Sequence, residues 1–386
     1  MKEGWKKLRL RDIAKITSGN TPSKENANFW NGEFPWISAK DMKTKYLSDS
    51  MLKLSESGFN VANKAPVNSL VVLTRGMTLH NDVPICLVKK QLAFNQDVKC
   101  LIPNKTINSE YLYYYLQNNK SDLLKLVDSA GNGTGRLDSE VLKDMEIYLP
   151  CPDEQINISE ILSLWDSVIE KTEKLISEKE KIFDFAVKKN LISGNTTKVI
   201  FSDLFMLSTE KNSSNKSYPA LSVTKEGVVF QDDYFNKRVA SEDTRNYLIA
   251  RRNTFVFSGL NFWMGSVDLQ TLTDIGLISP AYKVFTINSE LISYEYAHFL
   301  IRSKYMKRLL MDSSIVGASI VRRNLDMDNL LNSVIELPNL EQQKIIVEQL
   351  SLIQKGIELN KNLLEKYKLQ KQGLMQKLLT GEWRVK

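Results

Sequence analysis

The sequence has few of the residues that build metal sites, disulfide frameworks and histidine-based active sites. Its 386 residues include three cysteines and two histidines. Cys86, Cys100 and Cys151 have neither a C-x-x-C spacing nor an even count, so we expect no disulfide framework and no zinc site. His80 and His298 stand outside any metal-binding motif such as H-E-x-x-H. We interpret both histidines as ordinary core or surface residues.

Long apolar runs are absent as well. No stretch of about 18 consecutive apolar residues occurs, so we expect no membrane-spanning helix and no membrane partner. The N-terminal segment carries charge in every turn and has no apolar signal core, which indicates a cytoplasmic protein. The hydrophobic fraction of 42% and the charged fraction of 25% are typical of a folded chain.

The motifs of nucleotide hydrolysis and methyl transfer are also missing. No Gly-x-x-x-x-Gly-Lys-Ser/Thr phosphate loop occurs, and the glycine-rich run at 131–136 lacks the Lys-Ser/Thr pair. No Asn-Pro-Pro-Tyr or Asp-Pro-Pro-Tyr tetrapeptide marks a methyltransferase site, and no group of spaced acids with a lysine marks a metal-dependent nuclease. We therefore expect a binding protein that is not itself an enzyme and holds no metal.

What the sequence does have is an excess of positive charge. The chain carries 52 Lys and Arg against 45 Asp and Glu, which gives a formal net charge of +7. This excess permits a polyanionic partner such as nucleic acid without requiring one.

The second half of the chain repeats features of the first. Leu149-Pro150 is followed by Glu154-Gln155, and Leu337-Pro338 is followed by Glu341-Gln342. Both motifs open a long apolar helical pattern, and aromatic helices are predicted upstream at 108–116 and 292–300. Several similarities in the same order indicate two copies of one plan.

The length fits two domains of about 150 residues with connecting helices. Short β-like runs such as 69–74 and 253–257 alternate with turn residues, including Asn31-Gly32, which predicts an α+β fold with short sheets in each copy. We place the two globular domains at 1–152 and 196–339. Each is followed by a long helix, at 153–195 and 340–386.

Apolar residues in both long helices recur with a spacing of about 3.5, which is typical of a coiled coil. The seam of the first helix contains Ile158, Leu162, Trp165, Ile169, Thr172 and Ile176, and that of the second contains Leu350, Ile353, Ile357, Asn360, Leu364 and Tyr367. Thr172 and Asn360 occupy matching positions, so an antiparallel pair would bring them into one polar layer that fixes the register. The alternative is that each helix packs only on its own domain.

These motifs resemble those of a known family. The repeated Leu-Pro-x(2,3)-Glu-Gln motif, the segments Thr-Ser-Gly-Asn-Thr-Pro at 17–22 and Phe-Pro-Trp-Ile-Ser at 34–38, and the ending at 374–381 are similar to type I restriction–modification specificity (S) subunits. The resemblance covers essentially the whole chain. The second domain departs from it, because 207–212 reads Leu-Ser-Thr-Glu-Lys-Asn, without the Gly and Pro.

The resemblance implies two target-recognition domains that each read one half of a bipartite site in double-stranded DNA, held apart by an antiparallel coiled coil. It implies a non-catalytic subunit without a cofactor of its own. Two modification (methyltransferase) subunits would carry S-adenosylmethionine, and restriction (motor-nuclease) subunits would use ATP and magnesium. Two alternatives stay open: a two-domain protein-interaction scaffold with an intramolecular coiled coil, and an autonomous nuclease or methyltransferase.

Candidate DNA contacts are polar and basic side chains on loops, because these groups bind phosphates and base edges. In the first domain they are Thr21, Ser23, Lys24, Ser38, Lys40, Lys43, Arg75, Thr78, Asn95, Gln96, Thr134 and Arg136. In the second domain they are Ser222, Thr224, Lys225, Lys237, Arg238, Ser258, Asn261, Ser279, Tyr282, Ser319, Arg322 and Arg323. We expect Arg75 to bind a guanine edge, and we assign Trp36 and Trp263 to the core.

Overall fold

The structure is a computed structural model that describes residues 4–129, 133–192, 194–235, 241–316 and 323–385. The chain divides into two compact units. The first unit comprises Met1–Glu173 and Leu363–Lys386, and the second comprises Lys174–Asn362. Each unit therefore contains one globular domain and part of each long helix. No helix in the described ranges is both long and apolar enough to cross a membrane.

The described part of the first globular domain consists of short strands and five short helices. Its strands are β1 (Lys6–Arg9), β2 (Ala14–Ser18), β3 (Trp30–Ile37), β4 (Tyr46–Leu47), β5 (Leu52–Leu54), β6 (Lys64–Ala65), β7 (Leu70–Leu73), β8 (Arg75–Gly76), β9 (Ile85–Val88), β10 (Leu92–Phe94), β11 (Val98–Pro103), β12 (Val127–Ser129), β13 (Gly135–Leu137) and β14 (Glu146–Leu149). Its helices are α1 (Leu10–Ile13), α2 (Glu56–Val61), α3 (Ser109–Asn118), α4 (Lys120–Lys125) and α5 (Ser139–Asp144), with 3₁₀ turns at Ala27–Phe29 and Met77–His80.

Two sheets form the body of this domain, in the strand orders β2-β11-β7-β9-β4 and β5-β3-β10-β6. Strands β7 and β9 consist only of buried apolar residues, as expected for strands that are covered on both faces. The aromatic helix α3 adds the fully buried Tyr111 and Tyr114 to the same core. Strand β13 pairs with both β12 and β8, and β1 pairs with β14 beside the start of the long helix α6 (Pro152–Asn190).

The second globular domain follows the same order of elements. Its strands are β15 (Thr196–Ile200), β16 (Phe205–Ser208), β17 (Ala220–Val223), β18 (Val228–Phe230), β19 (Leu248–Arg251), β20 (Thr254–Ser258), β21 (Val267–Gln270), β22 (Ile275–Ile278), β23 (Tyr282–Ile287), β24 (Ser314–Val316), β25 (Arg323–Leu325) and β26 (Val334–Pro338). Its helices are α7 (Phe201–Leu204), α8 (Gln231–Tyr234), α9 (Tyr294–Arg302), α10 (Lys304–Asp312) and α11 (Met327–Leu331), with a 3₁₀ turn at Phe262–Met264. The second long helix is α12 (Leu340–Leu379).

The sheets of the two domains correspond pairwise. The order β16-β23-β20-β21 matches β2-β11-β7-β9, the order β18-β17-β22-β19 matches β5-β3-β10-β6, and β15 pairs with β26 as β1 pairs with β14. Within the described residues of the second domain, no strand corresponds to β4. Stacked Phe255, Phe257 and Phe285 fill the core of the second copy. The predicted α+β fold with an internal repeat is confirmed.

A buried glutamine joins each domain to its long helix. The Gln155 side chain accepts from Asn108 N (2.8 Å) and donates to the carbonyl oxygens of Thr106 (3.1 Å) and Pro150 (3.0 Å). In the second copy the Gln343 side chain makes the corresponding bonds to Ser293 N, Leu291 O and Pro338 O, all at 2.9 Å.

These matching bonds correct the alignment of the repeat. The equivalent residue of Gln155 is Gln343, one position later than the match to Gln342 that the sequence motif suggested. The spacing from the Leu-Pro pair to the bonded glutamine is therefore the same in both copies. The residue equivalent to Glu154 is Gln342.

The seams of both long helices are buried or half-buried along their length. In the first unit, Ile158 and Leu162, near the start of α6, share a core with Leu378 and Leu379 at the end of α12. Trp165 meets Tyr367 edge-on, with ring centroids 5.8 Å apart. The two helices therefore run antiparallel in this unit.

The second unit shows the same antiparallel arrangement at the other ends of the two helices. There Phe183 and Val187, near the end of α6, share a core with Ile346 and Leu350 at the start of α12. The predicted antiparallel coil is confirmed within each unit.

The two polar seam residues are satisfied by their own helices. Thr172 Oγ1 donates to the Val168 carbonyl (2.7 Å), and Asn360 Nδ2 donates to the Gly356 carbonyl (2.6 Å). Such bonds to the preceding turn remove the need for a polar partner on the opposite helix. The proposal that these residues fix the register by pairing with each other stays a prediction.

The predicted turn at Asn31-Gly32 is wrong. Both residues lie inside β3, where the pairing with β5 shifts between Trp30 and Phe34. Asn31 has a φ of 60°, so the pair forms a bulge in a continuous strand. Strands do occupy the predicted runs at 69–74 and 253–257, as β7 and β20.

Candidate DNA interface

Backbone hydrogen bonds bring three separate segments of the first domain to one end of its sheets. Asn20 N donates to Phe94 O, and Asn95 N donates to Ile37 O, both at 3.0 Å. A Cβ on Gly19 would lie 2.2 Å from Phe94 O, so only glycine permits this close approach. The segment after β2, the end of β3 and the residues after β10 therefore meet.

Further hydrogen bonds link these three segments to the strands that carry Arg75 and Arg136. Thr21 Oγ1 donates to Gln96 Oε1 at 2.7 Å. The next carbonyl, Asp97 O, accepts from Thr74 N (2.8 Å) and Arg75 N (3.2 Å). Thr21, Ser38, Gln96, Arg75 and Arg136 thus form one contiguous row, which we call the first polar edge.

Arg75 and Arg136 are directly opposite each other on paired strands β8 and β13. Both side chains are exposed, and Arg136 Nη2 lies 3.4 Å from Asp138 Oδ2. Like charges at directly opposed positions destabilise a sheet, and a bound anion relieves the repulsion. Two guanidinium groups at one edge suit phosphate oxygens or the acceptors of guanine.

The remaining candidates of the first domain lie on adjoining loops. Ser38 N and Oγ both donate to Asp41 Oδ2 at 2.9 Å, which holds the loop that exposes Lys40 and Lys43. Ser23, Lys24 and Thr78 are exposed, and Thr134 is half-buried.

Three of the candidates are buried, and their side chains form hydrogen bonds within the protein. Asn95 is buried, and its amide donates to Asp97 Oδ2 at 3.2 Å. In the second domain, the buried Ser222 Oγ accepts from Gln231 (2.9 Å), and the buried Ser258 Oγ accepts from Asn261 N (3.1 Å).

The corresponding end of the second domain also gathers predicted residues. Ser258 and Tyr282 are directly paired on β20 and β23. Ser279 caps the turn before Tyr282, with its Oγ 3.4 Å from Ala281 N, and Asn261 is exposed beside Ser258. We call Ser258, Asn261, Ser279 and Tyr282 the second polar edge.

Other candidates of the second domain lie apart from this edge or outside the described residues. Thr224 N donates to Gly227 O (2.8 Å) in the turn between β17 and β18, where Lys225 is exposed. Lys237, Arg238, Ser319, Arg322 and the side chain of Arg323 lie outside the described residues.

Trp36 lies in the core, as predicted: it is buried, and its ring N–H donates to Asn20 O at 3.1 Å. Trp263 is half-buried against the core of the second domain. In the parts of the chain that the structure describes, no group of three or more His, Cys, Asp or Glu residues could hold a metal ion.

Sequence reasoning missed three residues near the first polar edge. Asp41 braces the loop at 38–43, and the Ser-x-x-Asp spacing was an available signal. Met77 is 65% exposed two residues from Arg75, an apolar side chain at a polar surface. Lys99 Nζ donates to Ser18 Oγ at 2.5 Å, and its pKa is lowered by burial and by the charge of Lys143.

Comparison with known proteins agrees with this architecture. The chain matches the type I restriction modification DNA specificity domain over residues 2–181 and 206–368. It is 32% identical over 194 residues to the EcoR124I/EcoR124II specificity subunit of Escherichia coli, a match that covers 48% of each chain. It is 33% identical over 184 residues to the MjaIX specificity subunit of Methanocaldococcus jannaschii, covering 46% of this chain and 41% of that one.

The matches therefore span about half the length of these two relatives or less. The MjaVIII specificity subunit of the same archaeon is matched more fully, with 26% identity over 423 residues that cover 100% of this chain and 94% of that one.

Solved structures share the fold at low sequence identity. The S subunit of a type I restriction–modification system from M. genitalium superimposes with a TM-score of 0.54 at 15% identity, covering 97% of this chain and 96% of that chain. A chain from a study of complex assembly and conformational transition in the type I R-M system gives a TM-score of 0.59 at 16% identity, covering 98% of both. With the family match over both repeats, the chain belongs to the type I restriction modification DNA specificity domain family.

Proposed function

We propose that this protein reads a bipartite site in double-stranded DNA, one half-site per domain, for a type I restriction–modification complex. The observation that carries the proposal is the pair of polar edges at corresponding ends of the two repeated domains. The first edge presents Arg75, Arg136 and Gln96, whereas the second presents Ser279, Tyr282 and Asn261. Corresponding ends of the two domains that present different side chains would read different half-sites.

Arg75 is the side chain that we assign to direct base reading. The backbone N–H of Arg75 donates to Asp97 O, and this hydrogen bond fixes the position of the backbone from which the side chain extends. A guanidinium can donate two parallel hydrogen bonds to O6 and N7 of guanine in the major groove. Lys24, Lys40 and Lys43 on adjoining loops would bind phosphates, which position the protein without selecting a sequence.

The subunit would work without a cofactor of its own. S-adenosylmethionine, ATP and magnesium would be bound by the modification and restriction subunits, and this chain would place the site within their reach.

The long helices offer a surface for those partners. Leu164 and Leu352 occupy equivalent positions on α6 and α12 and are 65% and 73% exposed. Leu175 and Leu363, a second equivalent pair, lie on the same helical faces and are 45% and 39% exposed. Exposed leucines repeated on one face are typical of a protein-binding surface. We propose that these two leucine stripes bind the two modification subunits.

DNA reading is tested with Arg75→Ala in the assembled complex. The expected result is a loss of about 1–3 kcal/mol, or tenfold or more, in binding to the specific site, with a much smaller loss on random duplex. Arg308→Ala, which removes an 85% exposed arginine far from the edge in sequence, serves as the control. Equal losses on both DNAs would make Arg75 a phosphate contact only.

Partner binding is tested by replacing Leu164 and Leu352 with serine. The isolated subunit should unfold at the same temperature as the wild type, whereas co-purification with the modification subunits should be lost. Leu369→Ser is the matched control, because Leu369 is 66% exposed on α12 but lies about 100° around the helix from the stripe. Partner binding without any DNA binding by the assembled complex would favour the interaction-scaffold alternative.

A further inference from the structure

A largely buried ionic network ties the first domain to both long helices within the first unit. Lys45 Nζ donates to Tyr114 Oη (2.6 Å) and to Asp166 Oδ2 on α6 (3.0 Å), and it lies 3.4 Å from Glu110 Oε2. Lys371 on α12 binds the other oxygen of Asp166. The Lys45 side chain is only 13% exposed. One aspartate therefore holds a lysine from the domain and a lysine from the second helix.

The surroundings keep the network charged despite its burial. Burial works to raise the pKa of Asp166, but hydrogen bonds from Lys371 and Tyr114 outweigh it and hold that pKa below its usual value. Burial likewise works to lower the pKa of Lys45, and its bonds to Tyr46 and Asp166 raise it instead. Buried ion pairs contribute little net stability compared with apolar packing, so their directional bonds are better suited to fixing a geometry.

Lys45 sits at the end of the loop that leads from the first polar edge. The loop begins at Ser38 beside Asn95, and Asp41 braces it by accepting from Ser38 and from Met51 N (2.8 Å). At its other end the Lys45 carbonyl accepts from Leu87 N at 2.7 Å. A short loop with hydrogen bonds of its own thus connects the first polar edge to the helix pair.

Among the residues that the structure describes, the second copy shows no such connection. The residue equivalent to Tyr114 is Phe299, and the residue equivalent to Asp166 is Gln354, so neither the hydroxyl group nor the aspartate that joins the two lysines has a counterpart. The strand β4 that follows Lys45 also has no counterpart among the described residues of the second domain. A cavity of about 630 Å³, lined in part by Phe183, Phe299 and Gln354, occupies the corresponding place.

We propose that Lys45 and Asp166 are positioning residues that fix the first polar edge relative to the helix pair, and that they set the fidelity of one half-site only. This inference rests on the proposed DNA-reading function. The second domain, whose described residues form no such buried ionic network, provides an internal control in the same molecule.

The test compares Lys45→Met, Lys45→Arg and Lys89→Met in the full chain expressed with its modification subunits. Genome-wide sequencing of methylated bases gives, for each half-site, the ratio of methylation at cognate sites to that at sites with one mismatch. Lys89→Met is the matched control, because Lys89 contacts Glu110 (3.3 Å) without reaching either long helix. Lys45→Met should lower the ratio about tenfold in one half-site, comparable to losing one base-pair discrimination, and leave the other unchanged. Lys45→Arg and Lys89→Met should keep both ratios.

A second variant separates positioning from stability. The triple substitution Lys45→Met, Asp166→Leu and Lys371→Met replaces the buried charges with apolar groups, which should preserve or raise the melting temperature. The proposal expects the same one-sided loss of fidelity in this stable variant. Wild-type ratios in both half-sites, or equal losses in both, would overturn it. If the wild-type chain directs no bipartite methylation, the proposed function itself has failed.

Discussion

Arg384 on the segment after α12 forms an ion pair with the buried Glu154 at the start of α6, within the first unit. Arg384 Nε and Nη2 donate to the two carboxylate oxygens of Glu154 at 2.7 and 2.9 Å. Trp5 Nε1 donates to the same carboxylate at 3.3 Å. The Glu154 side chain is 4% exposed and that of Arg384 is 42% exposed. Removing the arginine therefore leaves a carboxylate that cannot turn to solvent.

Arg384→Ala should destabilise the first unit by about 2–3 kcal/mol. Breaking a fully buried ion pair costs about 3–5 kcal/mol, and the partial exposure of Arg384 reduces this because solvent screens the charge. For a unit of this size the loss corresponds to a fall in melting temperature of roughly 4–12 °C. Glu154→Gln should cost only about 1 kcal/mol, because the released guanidinium remains accessible to water.

Tryptophan fluorescence is the assay, because five of the six tryptophans lie in the first unit and only Trp263 lies in the second. Arg384→Ala should lower the melting temperature of the first unit the most. Glu154→Gln should lower it less, and the wild type should have the highest melting temperature. Lys125→Ala, which removes a 75% exposed lysine, is the control and should change the melting temperature by less than about 1 °C. The reasoning is refuted if Glu154→Gln is the more damaging change or if Arg384→Ala melts like the wild type.

Two further predictions follow from the pKa values of buried groups. Burial raises the pKa of Cys86 to about 12 and that of Cys100 to about 11, whereas Cys151 is exposed, so a thiol reagent at mildly alkaline pH should modify one thiol in the native chain and three after denaturation. Rapid native modification of a second thiol would contradict this burial. Because the pKa of Asp166 in the folded chain lies below its ordinary value of 3.8, the contribution of Asp166 to stability is present above that value and is lost as the pH falls through the lowered pKa. The stability difference between the wild type and Asp166→Asn should be full above about pH 5 and shrink in acid, and a difference that grows in acid would show the opposite sign.

Periodic and repeated features could be predicted from the sequence because they depend on the local spacing of apolar and polar residues. The two long helices, their apolar seams and the two-copy plan depend on spacings that survive divergence of individual residues. Gln155 shows the limit of this reasoning, because the motif aligned Glu-Gln with Glu-Gln while the hydrogen bonds align Gln155 with Gln343.

Contacts between distant segments could not be predicted in the same way. The Lys45–Asp166 pair joins residues 121 positions apart, and nothing in the spacing of either residue marks the other. The opposition of Arg75 and Arg136 depends on the register between two very short strands. Asn31-Gly32 has the composition of a turn, but pairing with β5 on both sides makes it a bulge. In each case tertiary pairing decides, and single-sequence patterns do not contain it.

The measurement that tests the central claim most directly is methylation-site sequencing after exchange of the first domain. Residues 1–152 are replaced by the corresponding domain of a family member with a different target, and the chain is expressed with its modification subunits. The account predicts that the wild type directs methylation to two defined half-sites separated by a spacer of fixed length and undefined sequence. The exchange should change one half-site and keep the other half-site and the spacer. A contiguous target, or a change in both half-sites on exchange of one domain, would contradict the account.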